Sequence, residues 1–347
     1  MSDYRVRAEG SKASARGTSL VNDAVWGSIR ITALERVLID SPIFQRLRRI
    51  RQLGGAYFVY PSAGHSRFEH SLGALHRATT LVDAVAGSAE SASRSSLLVP
   101  APEIRKWQSA IRVGALLHDV GHLFLSHAGE RTIANHGIPS ILSSVDEILG
   151  QAALDLECEK PPSLSEFLSH SIVCSPSLAD LCDHFDLRVD GNPPLRADAV
   201  LMLLSGAMIR SRKLVQPPDR WIADILSGPL DVDKQDYVPR DGMMAGVGVQ
   251  VEPHRCAEVL RVCDFEKARV LNDSKAQREI DPKERRLTIT FSGISVLEDV
   301  LLARMSLFLR IYRHQKVRLI ERLAERVYGI AKEKGLLRLF LKSEDLP

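Results

Sequence analysis

The chain has 347 residues and a formal net charge of +3, from 46 basic and 43 acidic side chains. This near balance excludes the global basic field of many nucleic-acid-binding proteins, although a local basic face stays open. No apolar run approaches the roughly 20 residues of a membrane-spanning helix, and the opening sequence lacks a signal-peptide core. The five cysteines form no CxxC pair and are odd in number, which is typical of reduced thiols. We therefore expect a soluble protein of the cytoplasm.

The first hundred residues predict a disordered tail followed by helices. Residues 1–18 are polar and rich in Ser, Arg and Gly, so we expect them to be disordered. After a turn-rich segment, the Ser-Pro pair at 41–42 fits the start of a helix that the Gly-Gly pair at 54–55 ends. A second helix carries His70 in the sequence RFEHSLG, and the low-complexity stretch 87–96 is a linker or an exposed loop.

The rest of the chain is organised around the stretch IRVGALLHDVGHLFLSH. Its apolar residues predict a buried helix whose last turn delivers His118 and Asp119 side by side, with Gly121 as a candidate cap. Two more imidazoles, His122 and His127, follow within the same stretch. A buried helix end with these side chains needs a partner for each of them.

A divalent metal ion is one such partner. Neutral imidazole and carboxylate together suit Mn, Fe, Zn or Mg, and a cation removes the cost of burying a carboxylate. The alternative is a polar helix cap whose histidines bond to backbone carbonyls, since structural networks also gather ionisable residues.

The second half of the chain alternates helical patterns with breaks. Residues 155–220 predict short helices joined by loops that could rim a pocket. The acidic segment 231–241, DVDKQDYVPRD, would by default be a charged, solvated surface. A helix over 252–275, a strand over 285–291 and a long helix over 294–333 follow. With roughly twelve helices and no repeat, the pattern predicts an all-α fold.

Several segments together resemble the HD-domain deoxynucleoside triphosphate triphosphohydrolases, the group of the bacterial dGTPases and the animal dNTPase with a sterile-alpha-motif domain. The motifs RFEHSLG, HDVGH and DVDKxDY occur in that order, and the similar segments reach from residue 20 to about residue 320. The resemblance implies an HD-domain helical bundle with a small strand-containing appendage. It divides the chain into an HD phosphohydrolase domain at 19–250 and a C-terminal region at 251–347 that completes the pocket and forms a subunit interface.

The resemblance also implies a metal centre. It identifies His70, His118, Asp119 and Asp233 as the ligands of one divalent ion, which joins parts of the chain that spacing alone cannot join. Two imidazoles and two carboxylates leave positions open for water and a phosphate oxygen, as metal-assisted hydrolysis requires. Asp231 and Asp236 keep the interpretation as solvated surface.

In the family, water attacks the α-phosphorus and releases a nucleoside and tripolyphosphate. The positions that match phosphate-binding residues are Arg67, His122, Lys234 and Arg304. His127 matches a residue near the 5′ oxygen, Gln52 and Tyr237 match residues that line the sugar, and Asp241 matches the partner of the 3′-hydroxyl. Other interpretations stay open, because Arg67 could pair with Glu69 and Tyr237 could belong to the core.

One position departs from the family pattern. The family places a catalytic histidine just before a glutamate on a later helix, coupled to an acid that Glu130 matches here, but this chain reads Ser165-Glu166. Serine cannot protonate a leaving oxygen at neutral pH as imidazole can. Either His136 or His170 substitutes, or the alignment slips through a variable loop, or the protein hydrolyses slowly or uses another substrate. We take His170 as the candidate substitute.

A second site is suggested near the N-terminus. Asp40, Gln45 and Arg48 coincide with residues that, in the animal enzyme, recognise a guanine at an activator site between subunits. This implies GTP or a dNTP as activator and a homo-oligomer, either dimer or tetramer, that nucleotide binding favours. Gln45 and Arg48 could instead be ordinary solvent-facing helix residues.

The sequence therefore leaves three functions open. The first is metal-dependent hydrolysis of deoxynucleoside triphosphates, and the second is hydrolysis of another nucleotide by the same HD site. The third is a nucleotide-sensing or nucleic-acid-binding protein with weak turnover, which the basic residues between Arg304 and Arg326 would suit.

Overall fold

A computed structural model describes residues 18–92, 97–137, 145–158, 160–191, 193–215, 220–264 and 284–336. The predicted disordered tail lies outside these residues, apart from Thr18. Helices dominate the described part, which also contains two small antiparallel sheets. The prediction of a mostly helical fold with a small strand-containing appendage is confirmed.

Short strands and helices of unequal length make up the described part. The strands are β1 (Ser19–Asp23), β2 (Gly27–Ile31), β3 (Leu260–Asp264) and β4 (Arg285–Ile289). The first helices are α1 (Ala33–Asp40), α2 (Pro42–Gln45), α3 (Arg67–Ser91), α4 (Ala101–Arg105), α5 (Gln108–Leu117), α6 (His127–His136), α7 (Val145–Asp155) and α8 (Leu164–Val173). They are followed by α9 (Pro176–His184), α10 (Ala197–Met208), α11 (Arg220–Ser227), α12 (Val232–Ala245), α13 (Pro253–Glu258), α14 (Ile294–Leu307) and α15 (Gln315–Glu333).

The predicted turn-rich segment before α1 is a tight β-hairpin. β1 and β2 pair in antiparallel register, with Asp23 opposite Gly27, and Gly27 takes a φ of 69°. The Asp23 carboxylate accepts hydrogen bonds from the backbone N–H groups of Val25 and Trp26, at 3.0 and 2.9 Å. A short acidic side chain that satisfies the turn amides in this way fixes the corner of the hairpin.

The helix predicted to run from Ser41 to the Gly-Gly pair is shorter than expected. Ser41 caps α2 as predicted, and Pro42 takes its first position. After Gln45, however, the chain continues as a 3₁₀ turn over Arg46–Arg49. There the Arg46 guanidinium donates to the backbone carbonyls of the segment that follows α5. The local pattern favours an α-helix through this segment, but hydrogen bonds to a distant part of the chain override that preference.

The centre of the fold is the pair α3 and α5, with α10 and α12 packed beside them. Leu75 and Leu81 of α3 and Ile111 and Leu116 of α5 are fully buried. Burial of each such side chain contributes about 1.5–3 kcal/mol. Ser66 and Glu69 form a capping box at the start of α3, which satisfies its first N–H groups. This helix pair is the rigid support for the histidines at its ends.

The turn after α5 is fastened to α8 and is not a glycine-capped helix end. Gly121 does not have the left-handed backbone of a glycine cap. A Cβ atom there would lie 2.2 Å from the Ser165 carbonyl oxygen and 2.3 Å from the Ser169 nitrogen. The Ser169 hydroxyl accepts a hydrogen bond from the Gly121 N–H and donates one to the His118 carbonyl oxygen, each at 2.8 Å. Glycine therefore stands here because the α8 backbone approaches so closely.

The helix predicted over 252–275 is a short helix followed by a strand. α13 ends at Glu258, and β3 pairs antiparallel with β4, whose prediction as a strand is confirmed. Alternate residues of β3 are buried, which is the two-residue period of a strand. The spacing of Val259 and Val262 fits a helix face, but Val259 caps the end of α13 and only Val262 lies in β3, so the sequence pattern misled. Residues 265–283 lie outside the described part.

The long helix predicted over 294–333 is divided in two. α14 ends at Leu307, a π-turn covers Phe308–Tyr312, and α15 begins at Gln315. The break brings Tyr312 against Asp241 of α12 with a hydrogen bond of 2.5 Å. Within the described ranges, no helix has both the length and the apolar character that crossing a bilayer requires.

Candidate metal centre and active-site cavity

Two imidazoles face each other where α3 and α5 meet. His70 lies in the first turn of α3, His118 follows the last residue of α5, and their Nε2 atoms are 3.2 Å apart. His118 Nδ1 lies 2.7 Å from the Ala115 carbonyl oxygen, so this nitrogen carries the proton and donates it. His118 therefore presents an Nε2 lone pair toward His70.

Two carboxylates complete this group. Asp119 follows His118 in the chain, and Asp233 comes from the first turn of α12. The Asp233 Oδ1 atom lies 3.1 Å from His70 Nε2 and 3.7 Å from His118 Nε2. The Asp119 oxygens lie 3.5 and 3.4 Å from the same two nitrogens. The structure thus brings together the four predicted ligands, drawn from three separate segments.

The carboxylates of this group stabilise positive charge at its centre, whether a proton or a metal ion carries it. Burial lowers the pKa of His70, but hydrogen bonds to Asp233 and Asp236 outweigh burial and raise that pKa to about 10. Burial raises the pKa of Asp119, yet the charges of Arg67 and the neighbouring imidazoles hold it well below its usual value. A single proton cannot satisfy two Nε2 lone pairs and two carboxylates. One divalent ion can, and the mixed nitrogen and oxygen donors fit Mn, Fe, Zn or Mg.

His122 and His127 form a second cluster with Glu130. His122 Nε2 lies 3.1 Å from Asp119, and its Nδ1 lies 2.7 Å from Glu130 Oε1. His127 is mostly exposed, and its Nδ1 lies 3.5 Å from Glu130 Oε2. Burial raises the pKa of Glu130, but the two imidazoles outweigh it and lower that pKa strongly. An ionised Glu130 therefore orients both imidazoles beside the four predicted ligands.

Arg67 is buried in the same place and does not pair with Glu69. Its guanidinium donates to Asp119 and to the Ser126 hydroxyl, the latter through Nε at 2.8 Å. Ser126 has a φ of 55°, which L-residues rarely adopt. Backbone strain at a buried serine that holds an arginine is typical of functional loops. Ser126 was missed in the sequence, because a lone serine carries no signal of such a contact.

Asp231 and Asp236 are buried, so their interpretation as solvated surface is wrong. Asp231 caps α12 by accepting from the Lys234 N–H at 2.8 Å, and it also contacts Lys234 Nζ at 2.5 Å. Asp236 is fully buried and lies 2.8 Å from His70 Nδ1. The signal for Asp236 was its spacing of three residues from Asp233, which puts both on one face of a helix.

A cavity of about 760 Å³ opens beside this cluster. All six predicted substrate residues line it: Gln52, Arg67, Lys234, Tyr237, Asp241 and Arg304. Tyr237 is thus at the cavity wall. Asp241 belongs to the same wall, and its carboxylate is held between His65 Nε2, at 2.8 Å, and the Tyr312 hydroxyl, at 2.5 Å. His65 and Tyr312 were missed because their contact with Asp241 spans widely separated segments.

His170 lies outside the cavity. Its Nδ1 donates to or accepts from the Ser205 hydroxyl and lies 3.8 Å from Cys174 Sγ. Five residues along α8 separate it from Ser165, which does line the cavity, so the two point to different sides of the helix. His136 lies near Glu325 and Tyr328, also away from the cavity lining. Neither histidine stands where the expected substitute for Ser165 would have to be.

The three predicted activator residues lie at the surface around α1 and α2. Asp40 and Arg48 are exposed. Gln45 donates to the Ile39 carbonyl oxygen and accepts from Arg48 Nε, each at 2.8 Å. The Arg48 guanidinium stacks 3.5 Å over the Phe68 ring. They do not line the cavity, so a nucleotide at Arg48 would occupy a separate place.

Comparison with known proteins identifies relatives of this chain, although no family model matches it. A deoxynucleoside triphosphate triphosphohydrolase SAMHD1 homolog of Dictyostelium discoideum is 29% identical over 256 residues, 72% of this chain and 41% of that protein. Deoxynucleoside triphosphate triphosphohydrolase SAMHD1 of Bos taurus is 28% identical over 71% of this chain and 39% of its own length. An uncharacterized protein of Methanocaldococcus jannaschii is 25% identical over 91% of this chain and 51% of its own.

The chain thus spans about half the length of these relatives or less. Most of its own length is nevertheless covered by the similarity. The predicted resemblance of this chain to the HD-domain deoxynucleoside triphosphate triphosphohydrolases is therefore confirmed.

Proposed function

We propose that this protein is a metal-dependent phosphohydrolase that cleaves deoxynucleoside triphosphates to nucleoside and tripolyphosphate. The observation that carries the proposal is the convergence of His70, His118, Asp119 and Asp233 beside a cavity whose lining includes several arginines and lysines. The relatives named as deoxynucleoside triphosphate triphosphohydrolases support the substrate class. Under this proposal, residues 19–250 form the HD phosphohydrolase domain and residues 251–347 form the C-terminal region that completes the pocket. Both parts supply residues to the cavity.

The four ligands would hold one divalent ion, of which Mn or Mg would suit phosphate chemistry. When bound, such an ion polarises a phosphoryl group and lowers the pKa of a water molecule. Two of these ligands are oriented for this task, because His118 is held by the Ala115 carbonyl oxygen and His70 by Asp236. Such outer partners orient the ring and keep the correct nitrogen free.

Basic residues on the cavity wall would bind the phosphates. Arg67, Lys234 and Arg304 line the cavity, and Arg67 also contacts the ligand Asp119. Preorganised cations stabilise charge that spreads over phosphate oxygens in the transition state. Gln52 and Tyr237 would border the sugar, and Asp241 would accept from its 3′-hydroxyl. Because Asp241 is already held by His65 and Tyr312, its carboxylate is oriented before substrate binds.

His127 is the imidazole best suited to protonate the leaving 5′ oxygen. It lines the cavity, is accessible and has Glu130 as its carboxylate partner. His122 is less suited, because its two nitrogens already face Asp119 and Glu130. A histidine oriented by an acid is the usual form of a general acid at neutral pH.

Hydrolysis of another nucleotide by the same centre is the second candidate. It is favoured by Ser165, which lines the cavity where the family has a catalytic histidine. A weaker acid there would reduce the rate for a poor leaving group more than for a good one. Modified triphosphates or monophosphates would then be the substrates, and because the 5′ oxygen is an equally poor leaving group in both, the nucleotide panel has to separate them.

The protein would act as a homo-oligomer in the cytoplasm. Exposed apolar residues on α14, namely Leu301, Leu302 and Met305, form a patch of the kind that subunit interfaces cover. Asp40, Gln45 and Arg48 would bind an activating GTP or dNTP between subunits. Activator binding would then favour the oligomer by linkage, without contact to the metal.

The test is metal analysis of the purified protein, followed by hydrolysis of a panel of nucleotides with and without GTP. Tripolyphosphate must be separated from orthophosphate. We expect one equivalent of divalent metal and tripolyphosphate from dNTPs. The His118→Ala variant should lose both, while His184→Ala, on α9 and outside the cavity lining, is the matched control. Orthophosphate from monophosphates alone would replace the first candidate by the second, and unchanged hydrolysis by His118→Ala would contradict both.

A further inference from the structure

Asp236 is fully buried and lies at the centre of a hydrogen-bond network behind the proposed metal ligands. Its Oδ2 atom lies 2.8 Å from both His70 Nδ1 and Arg240 Nε. Its Oδ1 atom accepts from Arg240 Nη2 at 2.9 Å and from the indole N–H of Trp26. Four N–H groups thus surround one carboxylate, which leaves it a single orientation.

The outer half of this network comes from the N-terminal hairpin. Arg240 donates to both oxygens of Asp23, at 2.9 and 3.0 Å, in the bidentate geometry that fixes a guanidinium. Asp23 and Trp26 both belong to the corner between β1 and β2, where Asp23 also accepts from two backbone amides. The same short turn therefore supports Asp236 directly, through Trp26, and indirectly, through Arg240.

The surrounding helix is shaped to admit the network. A Cβ atom at Gly73, one turn after His70 on α3, would lie 1.8 Å from Asp236 Oδ1 and 2.4 Å from Arg240 Nη2. The Trp26 ring also stacks on His76 of α3, with ring centroids 5.7 Å apart. The missing side chain at Gly73 thus leaves room for the Asp236 carboxylate, and the stacking on His76 holds the Trp26 N–H toward that carboxylate.

We infer that the hairpin corner of Asp23 and Trp26 positions the metal centre through Asp236. The Asp236 carboxylate accepts the Nδ1 proton of His70, so the other ring nitrogen, Nε2, is the one that faces Asp119 and Asp233. If Asp236 turned away, the His70 ring could rotate or carry its proton on Nε2 and would cease to be a ligand. The inference rests on the proposed metal site but is independent of which nucleotide is hydrolysed.

The test measures metal affinity in the full chain. Trp26→Phe keeps an aromatic ring beside His76 but removes the N–H donor together with part of the ring system. We expect its dissociation constant for Mn²⁺, measured by competition with a chelating dye, to rise about tenfold, because loss of outer-shell partners typically costs 10–100-fold. The visible spectrum of the Co²⁺-loaded protein should change as well. Trp221→Phe, at a buried tryptophan of α11, is the matched control and should leave affinity and spectrum unchanged.

A second variant keeps the inference falsifiable if Trp26→Phe folds poorly. Asp23→Asn retains the shape of the corner but removes the charge that holds Arg240, and it should also weaken Mn²⁺ binding. Wild-type affinity and an unaltered Co²⁺ spectrum in either folded variant would overturn the inference while leaving the proposed function intact. Absence of metal binding by the wild-type protein would instead defeat the metal site and the inference together.

Discussion

The Nε2 atoms of His70 and His118 face each other at 3.2 Å, although 48 positions separate the two residues in the chain. Each ring is fixed from behind, His70 by Asp236 and His118 by the Ala115 carbonyl oxygen. Two nitrogens held this close, with Asp119 and Asp233 beside them, make protons and metal ions competitors for the same lone pairs. The consequences can be measured as a function of pH.

Metal affinity should rise with pH. In the absence of metal, burial disfavours the charged form of His70, but hydrogen bonds to Asp233 and Asp236 prevail and raise its pKa to about 10. A metal ion must displace that proton. Between pH 6.5 and about 10 we therefore expect the association constant for Mn²⁺ to increase about tenfold per pH unit, with one proton released per ion. Calorimetry in buffers of different ionisation enthalpy measures the released proton.

The stability of the metal-free protein should fall as the pH rises. Because the pKa of His70 is higher in the folded than in the unfolded chain, its contribution to stability is complete below about pH 6.5 and is lost as the pH rises toward 10. Asp236→Asn should flatten this dependence in chemical denaturation series. A metal affinity and a stability that both ignore pH across this range would contradict the assigned interactions of His70.

Replacement of His127 should reduce hydrolysis strongly. Without its imidazole the cavity lacks the accessible acid paired with Glu130, and losing a general acid typically costs ~10²–10⁴-fold in rate. His170→Ala is the matched control and should leave kcat unchanged, because His170 contacts Ser205 and Cys174 outside the cavity. A normal rate for His127→Ala with a slow His170→Ala would return the role to His170.

Ser165→His should increase the rate of triphosphate hydrolysis. The side chain of Ser165 lines the cavity, so an imidazole there would add a second proton donor near the substrate. We expect at least a ~10-fold gain in kcat, and partial rescue when the change is combined with His127→Ala. Single-turnover assays separate this effect from product release. A slower enzyme that still binds metal would show that the serine is the better residue for this protein's substrate.

Gly121→Ala should destabilise the fold by at least about 3 kcal/mol, at the upper end for overpacking. The added Cβ would lie 2.2 Å from the Ser165 carbonyl oxygen, where only backbone movement could relieve the contact. Gly87→Ala on α3 is the control, since nothing lies within 4 Å of its Cβ position, and helix propensity predicts a gain of roughly 0.5–1 kcal/mol. Urea unfolding curves measure both. Equal stability of the two variants would contradict the close packing of α8.

The amino-acid sequence determined much of the site's composition. The adjacent His118 and Asp119 after an apolar helical pattern indicated a buried, metal-suited helix end from local periodicity alone. The cap at Ser41 and the strand of β4 were equally local, because each depends on a few consecutive residues. The family resemblance then supplied His70 and Asp233 as partners, which no rule of spacing could have provided.

Only the tertiary structure decided which polar residues are buried and what they contact. Asp236 sits in an acidic segment that predicts solvated surface, yet it is enclosed by His70, Arg240 and Trp26. His170 has the residue type of a general acid, yet its turn of α8 faces away from the cavity. Contacts between segments far apart in the chain decide both cases, and no local sequence pattern encodes such contacts.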